Sequence, residues 1–352
     1  MRIQLILVAA FGLSVVACDE VTEPEAVVRG RAHYELYCAL CHGVEGEGNL
    51  SPRANALNNS DFLATASDEF LYMAITQGRP GTKMSPFGAA FFGPLDNEMV
   101  QDLIAFIRHW SDDPMRELTE PAVSGDPVAA KEVYATKCAL CHGDDGEGNT
   151  ALSLNNPVFL KSASDAFLEY SISKGRTKTA MIGYEGFLTF VEINNLVALI
   201  RSWETDVTHE LPEQSLADCP ELNVVGDIAN GEPVWEEDGD LYESNESVHR
   251  AYAGGKPLIM LDARPPGDYL WEHIEGAVSM PYYDVEKCFS VLPKDTWVVT
   301  YCACPHNESE HAANILLEHG YEKVRVLNEG YIEWKEAGYP ITVTDSGTSE
   351  VP

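Results

Sequence analysis

Cys38, Cys41 and His42 spell C-x-x-C-H, and Cys138, Cys141 and His142 spell it again one hundred residues later. Two thiols three residues apart on a helical turn reach the two vinyl groups of one haem, and the adjacent imidazole then faces the iron. A zinc site needs a second ligand pair at finger or ribbon spacing within the same copy, and neither copy has one. A thioredoxin-like pair needs a βαβ setting, whereas these flanks have helical patterning. A sixth iron ligand is expected downstream. Met84 follows Gly78-Arg79-Pro80-Gly81-Thr82-Lys83, and Met181 follows Gly175-Arg176-Thr177-Lys178-Thr179-Ala180. A thioether in such a loop on the opposite haem face raises the reduction potential. Met73 and Met99 fall in helical segments and read as core. His109 competes for the first iron but has no counterpart in the second copy.

The elements that must position these groups repeat with them. Tyr34 to Asn49 matches Tyr134 to Asn149, Ser67 to Arg79 matches Ser164 to Arg176, and Leu103 to Trp110 matches Leu196 to Trp203. Three ordered matches describe a duplicated domain of roughly ninety residues. Val100, Leu103, Ile104, Ile107 and Trp110 form a helical stripe, as do Val191, Leu196, Leu199, Ile200 and Trp203. On these residues the chain resembles small class I c-type cytochromes over about 28–111 and 125–205. The resemblance implies two all-α domains whose N- and C-terminal helices cross near a covalent haem, which also staples so small a core.

The chain has 352 residues, 23 Lys and Arg against 56 Asp and Glu, and a net charge of −33. That balance excludes phosphate-backbone binding as a main activity and points to partners that are basic where they dock. Met1-Arg2 precedes an apolar run, Ile3 to Ala17, too short to span a bilayer as a mature helix. Val15-Val16-Ala17-Cys18 resembles a bacterial lipoprotein signal, in which Cys18 carries the lipid; the alternative is an ordinary secretory signal cut elsewhere. Either places the protein outside the cytoplasm. The expected site is the periplasm or the outer face of the cytoplasmic membrane, held there by a lipid anchor alone.

Residues 207–249 hold twelve acids and no Lys or Arg, the pattern of a solvated connector. Beyond them the period changes. Leu258 to Asp262 and Trp297 to Tyr301 are short apolar runs of buried parallel strands, Val324 to Leu327 reads as another, and Glu308 to His319 is helical. Asn307 with Glu310 would cap that helix, and Gly320 would close it. The residues Leu261-Asp262-Ala263-Arg264, His273-Ile274-Glu275-Gly276-Ala277, Tyr301-Cys302, Leu327 with Gly330 and Trp334, and Gly338-Tyr339-Pro340 resemble a rhodanese-like domain over about 245–343. The resemblance implies that Cys302 ends a strand inside a nest of backbone N–H groups at a helix N-terminus, which stabilises a thiolate or persulfide. Here the loop reads Cys302-Ala303-Cys304-Pro305-His306-Asn307-Glu308-Ser309, with no Arg and no Gly. Anionic thiosulfate then lacks its fork of donors, and Glu308 repels it. His306 offers a positive charge or an acid. Cys302 and Cys304 could pair as a C-x-C disulfide. Cys219 and Cys288 remain as a plausible structural bridge, with the connectivity open.

The expected organisation is a signal over 1–17, a linker over 18–27, cytochrome c domains over 28–115 and 125–206 joined by 116–124, an acidic connector over 207–244, a rhodanese-like domain over 245–343 and a tail over 344–352. The fold class is multidomain, two all-α cytochrome c domains followed by an α/β domain with a parallel sheet. The cofactors are two covalent haem c groups, on Cys38 and Cys41 and on Cys138 and Cys141, with His42, Met84, His142 and Met181 on the irons. The expected function is single-electron carriage, with the C-terminal domain docking a partner protein or a small sulfur compound. Two alternatives stand beside it: a sulfur-oxidising or sulfurtransferase enzyme using Cys302, and a thiol–disulfide sensor using Cys302 and Cys304. No nucleic acid is expected.

Overall fold

The computed structural model describes residues 23–48, 54–119, 125–205, 219–236, 240–303 and 306–343. The expected signal, Cys18 and Cys304 lie outside the described residues. Among the described residues no helix is long and apolar enough to cross a membrane.

The first domain runs α1 (Glu25–Tyr37), α2 (Ala39–His42), α3 (Ser60–Leu63), α4 (Asp68–Gln77) and α5 (Asn97–Arg108). The second repeats it as α6 (Pro127–Lys137), α7 (Ala139–His142), α8 (Pro157–Ser162), α9 (Asp165–Lys174) and α10 (Phe190–Arg201). Helix starts are signed by side chains that satisfy orphan N–H groups: Ser67 and Ser164 accept from Phe70 and Phe167, Asp96 from Met99, and Thr189 forms a capping box with Glu192. The first and last helices of each domain pack together, α1 on α5 and α6 on α10. Val100, Leu103, Ile104 and Ile107 are buried as the stripe requires, and Trp110 sets its ring edge-on against Tyr34 at 5.0 Å. In α10 the stripe is shifted. Val191 is exposed, and Ile193 and Val197 are buried in its place, because the helix begins at Phe190 and turns its first residues to solvent.

The C-terminal unit is α/β. Five parallel strands run in the order β1-β6-β5-β2-β4, namely Tyr242–Glu243, Val324–Leu327, Trp297–Tyr301, Leu258–Asp262 and Val278–Ser279. The interior strand β2 is buried at all five positions, which is why it reads as a continuous apolar run. Between strands come α11 (Asn245–Ala253), α12 (Pro266–Trp271) and α13 (Asn307–Glu318), with α14 (Tyr331–Glu336) after β6; β3 (Glu272–Ile274) and β7 (Ile341–Val343) pair antiparallel.

The acidic stretch is not only a connector. Tyr242 and Glu243 form the edge strand β1, Val225 pairs with Leu258, and Cys219 is bonded to Cys288. Residues 219–236 and 240–243 therefore belong to the α/β unit. Acidic composition concealed this because only Val225, Tyr242 and a few neighbours enter the sheet, while Asp227, Glu232, Glu236 and Asp240 are exposed.

Candidate functional site

In both copies the C-x-x-C-H turn is built alike. The Tyr34 hydroxyl donates to Gly43 O at 2.6 Å and that of Tyr134 to Gly143 O at 2.8 Å, holding the turn to the first helix. His42 Nδ1 lies 2.9 Å from Asn55 O, and His142 Nδ1 lies 2.9 Å from Leu152 O. Each contact commits Nδ1 as the donor, so Nε2 is the nitrogen left for a metal. Burial lowers both imidazole pKa values and keeps the rings neutral.

The methionine loops are equally matched. Arg79 N donates to Met84 O at 2.7 Å and Arg176 N to Met181 O at 2.8 Å; Met84 N and Met181 N donate to Thr82 Oγ1 and Thr179 Oγ1 at 3.2 and 3.1 Å. Gly78 and Gly175 open these loops at φ +63° and +71°, where an added Cβ would lie 2.5 Å from the Met84 and Met181 carbonyl oxygens. The loops agree although only Met84 is followed by Ser-Pro. His109 pairs instead with Glu23 at 3.3 Å.

The two domains join through a near-symmetric seam. Asn59 Nδ2 donates to Thr177 O and Asn156 Nδ2 to Pro80 O, each at 2.8 Å, while each Asn Oδ1 caps its own helix. Arg79 lies over Phe70 and over Phe159 of the other domain, and Arg176 lies over Phe167 and over Phe62 of the other domain. Burial lowers the two guanidinium pKa values to about 9 and about 10. Arg176 reaches Ser171 and Thr65, but Arg79 Nη1 is buried without a hydrogen-bond partner. An orphaned guanidinium nitrogen beside a methionine loop calls for an anion. The propionates of a haem fit that need beside the first methionine loop, and in both copies paired thiols next to an imidazole with Nε2 open suit haem c.

Cys302 is fully buried immediately after β5, with Sγ 3.4 Å from Ser309 Oγ. Arg264 is committed: it forks onto Asp262 at 2.9 and 2.6 Å, and Tyr301 OH donates to the same carboxylate. Glu308 is buried against Cys302, and its pKa is driven well above the carboxylate range by desolvation first and by Cys302 and Asp268 next. Desolvation also raises Asp268. Burial thus disfavours ionisation of the two carboxyl groups nearest this cysteine. His306 does not face Cys302 with a capping side chain. It has φ +77°, and its ring packs 4.3 Å from that of Tyr242.

Asn307 does not cap α13 either. It is the first helical residue, and its Nδ2 donates to Leu40 O at 2.5 Å and approaches Cys41 Sγ at 3.8 Å. Around this contact Tyr282 OH donates to Leu36 O and Tyr37 O at 3.2 and 3.3 Å, and Tyr283 meets Tyr37 edge-on at 5.3 Å. On the other side Gly267 comes so close that an added Cβ would lie 2.5 Å from Phe91 O and 2.8 Å from Pro86 Cγ. The α/β unit therefore touches the first C-x-x-C-H turn and the loop after Met84 together. A recess of about 360 Å³ lined by Leu40, Asn307, Glu310 and His311 follows the join. The sequence pattern had marked Asn307 only as a cap and gave Gly267, Tyr282 and Arg79 no role; the Gly-Arg echo in the repeat was the one available hint.

Residues 244–337 match the model of the rhodanese-like domain, and a sulfurtransferase from Allochromatium vinosum is 30% identical over 101 residues, covering 29% of this chain and 94% of its own length. The C-terminal domain belongs to the rhodanese-like family. The rest of the chain precedes this rhodanese-like domain with two cytochrome domains: residues 25–107 and 125–200 match the model described as cytochrome c oxidase, cbb3-type, subunit III. A cbb3-type cytochrome c oxidase subunit FixP from Azorhizobium caulinodans is 29% identical over 160 residues, 43% of this chain and 51% of the relative. The chain thus spans about half the length of that relative. A solved rhodanese-like domain from Anabaena sp. is 28% identical, covers 32% of this chain and 87% of its own, and has a TM-score of 0.29. Cytochrome c domains of this type imply covalently bound haem c.

Proposed function

We propose that this chain is an extracytoplasmic dihaem electron carrier whose rhodanese-like domain holds a sulfur species at Cys302 and passes its electrons to the cytochrome domains. The observation that carries this reading is the contact of Asn307, five residues beyond Cys302, with Leu40 O and Cys41 Sγ of the first C-x-x-C-H turn. Bound haem c supplies a one-electron Fe(III)/Fe(II) couple in each cytochrome domain. Cys38 and Cys41, and Cys138 and Cys141, would attach it; His42 with Met84, and His142 with Met181, would hold the irons.

The chemistry at Cys302 balances over two such carriers. Joining the sulfur of hydrogen sulfide to Cys302 Sγ makes one S–S bond and breaks one S–H bond on each partner, leaving two protons and two electrons. With haem bound, each cytochrome domain would accept one of these electrons. A basic redox protein then collects them, drawn by the chain's net charge of −33. The secretory pattern at residues 1–17 and Cys18 support a lipid anchor at the outer face of the cytoplasmic membrane.

The test is to mix the oxidised, haem-loaded protein with sulfide, thiosulfate or a persulfide and follow haem absorbance. Sulfide or persulfide should reduce the haems, thiosulfate should do so poorly, and Cys302→Ser should abolish the reaction. Unchanged spectra with every donor would overturn the reading.

A further inference from the structure

The duplication makes the two cytochrome domains comparable position by position, and they differ where the first meets the rhodanese-like domain. Leu40, between Cys38 and Cys41, is partly buried against the core of that domain, and Ser85, directly after Met84, is 3% exposed. Phe91 and Pro86 carry the close approach of Gly267. The counterparts are open: Leu140 is 82% exposed, Ile182, directly after Met181, is 60% exposed, and Phe187 in the following loop is 83% exposed.

These three apolar side chains come from two segments that a hydrogen bond joins. Tyr184, between Ile182 and Phe187, donates its hydroxyl to Lys137 O beside Cys138, and Phe187 N donates to Tyr184 O. Scattered exposed apolar residues are ordinary; a group at the positions the sister domain uses for its own contact is not. Ser85 has become Ile182, so the second domain gains apolar surface where the first, covered by its neighbour, has none to show.

We propose that Leu140, Ile182 and Phe187 form the docking surface for an external redox protein whose own cofactor edge is apolar and ringed by Lys and Arg. The first cytochrome domain is then the internal port, closed to other proteins by the rhodanese-like domain, and the second is the external one. The proposal rests on the electron-carrier reading above. Charge selects the occupant. Asp144, Asp145 and Glu147 follow His142, and Glu185 lies between Ile182 and Phe187, on a chain of net charge −33. A second copy would bring the same excess of negative charge to the contact, whereas a basic partner gains from it.

The experiment uses the full haem-loaded chain and a basic class I cytochrome c as probe. Electron exchange is followed by stopped flow at low and high salt, and amide hydrogen exchange maps the contact. The expected results are protection over residues 137–149 and 181–190, and a second-order rate constant that falls about tenfold in Phe187→Gln and in Leu140→Gln, with the salt dependence kept. Phe187 lies outside the haem motif, so its variant separates docking from haem attachment, and the haem-to-protein ratio of each sample checks the latter. Wild-type rates in both variants would overturn the proposal, as would protection on the first cytochrome or rhodanese-like domain. So would protection of the same segments by self-association without the probe. Reduction by sulfide in the absence of the probe reports the carrier reading separately and should be unchanged in Phe187→Gln.

Discussion

Asn307 spends its side-chain amide on Leu40 O, 2.5 Å away in another domain, although its residue type is one that commonly caps helices. Replacing it with Leu leaves a carbonyl at a crowded join without its donor, at a cost of about 1–2 kcal/mol in domain association. Asn307→Leu should keep both haems but speed amide exchange over residues 36–41 and slow sulfide-driven haem reduction several-fold. Wild-type exchange rates there would show that the join does not depend on this bond.

Arg79 and Arg176 are buried cations at the join of the cytochrome domains, and Arg79 Nη1 has no hydrogen-bond partner. A positive charge near a haem favours the reduced state. Arg79→Met should lower the midpoint potential of one haem by some tens of millivolts. Spectroelectrochemical titration of the variant checks it, and an unmoved potential would mean that the guanidinium lies away from the cofactor.

Cys219 and Cys288 close a loop of 69 residues that ties the acidic stretch to the rhodanese-like core. Replacing both with Ser should destabilise that domain by about 2–4 kcal/mol in urea unfolding, with the haem spectrum unchanged. Loss of haem absorbance at the same urea concentration as loss of the C-terminal fold would instead show that the domains unfold as one.

Glu308 is held protonated by burial, facing Cys302, Asp268, Arg264 and Asp262. Its folded pKa lies above its unfolded value, so the folded state binds more protons between the two. The stability it permits is full below about pH 4.5 and is lost as pH rises towards the folded pKa. Glu308→Gln should flatten this fall, giving a protein at least as stable as the wild type at pH 8. Urea midpoints at pH 5 and pH 8 test it, and a variant less stable at pH 8 would contradict it.

Much of this was legible in the chain. The duplicated C-x-x-C-H turns, the α5 stripe and the strands at 258–262, 297–301 and 324–327 follow from local spacing and apolar runs, which depend on few residues close in sequence. What escaped depends on long-range contact. Tyr242 joins the sheet despite its acidic surroundings, Val191 cedes its place to Ile193 and Val197, and Asn307 turns outward because Leu40 O lies within reach. A capping rule weighs only neighbours along the chain and has no means to register a carbonyl 267 residues away.

Gly267 works as a ruler between modules. Electron tunnelling falls off steeply with distance, and even a methyl group at this position would meet Phe91 O and Pro86 Cγ and hold the rhodanese-like domain away from the first cytochrome domain. A missing Cβ thereby sets the gap that a charge passing from Cys302 to the first cytochrome domain would have to cross in the function proposed above.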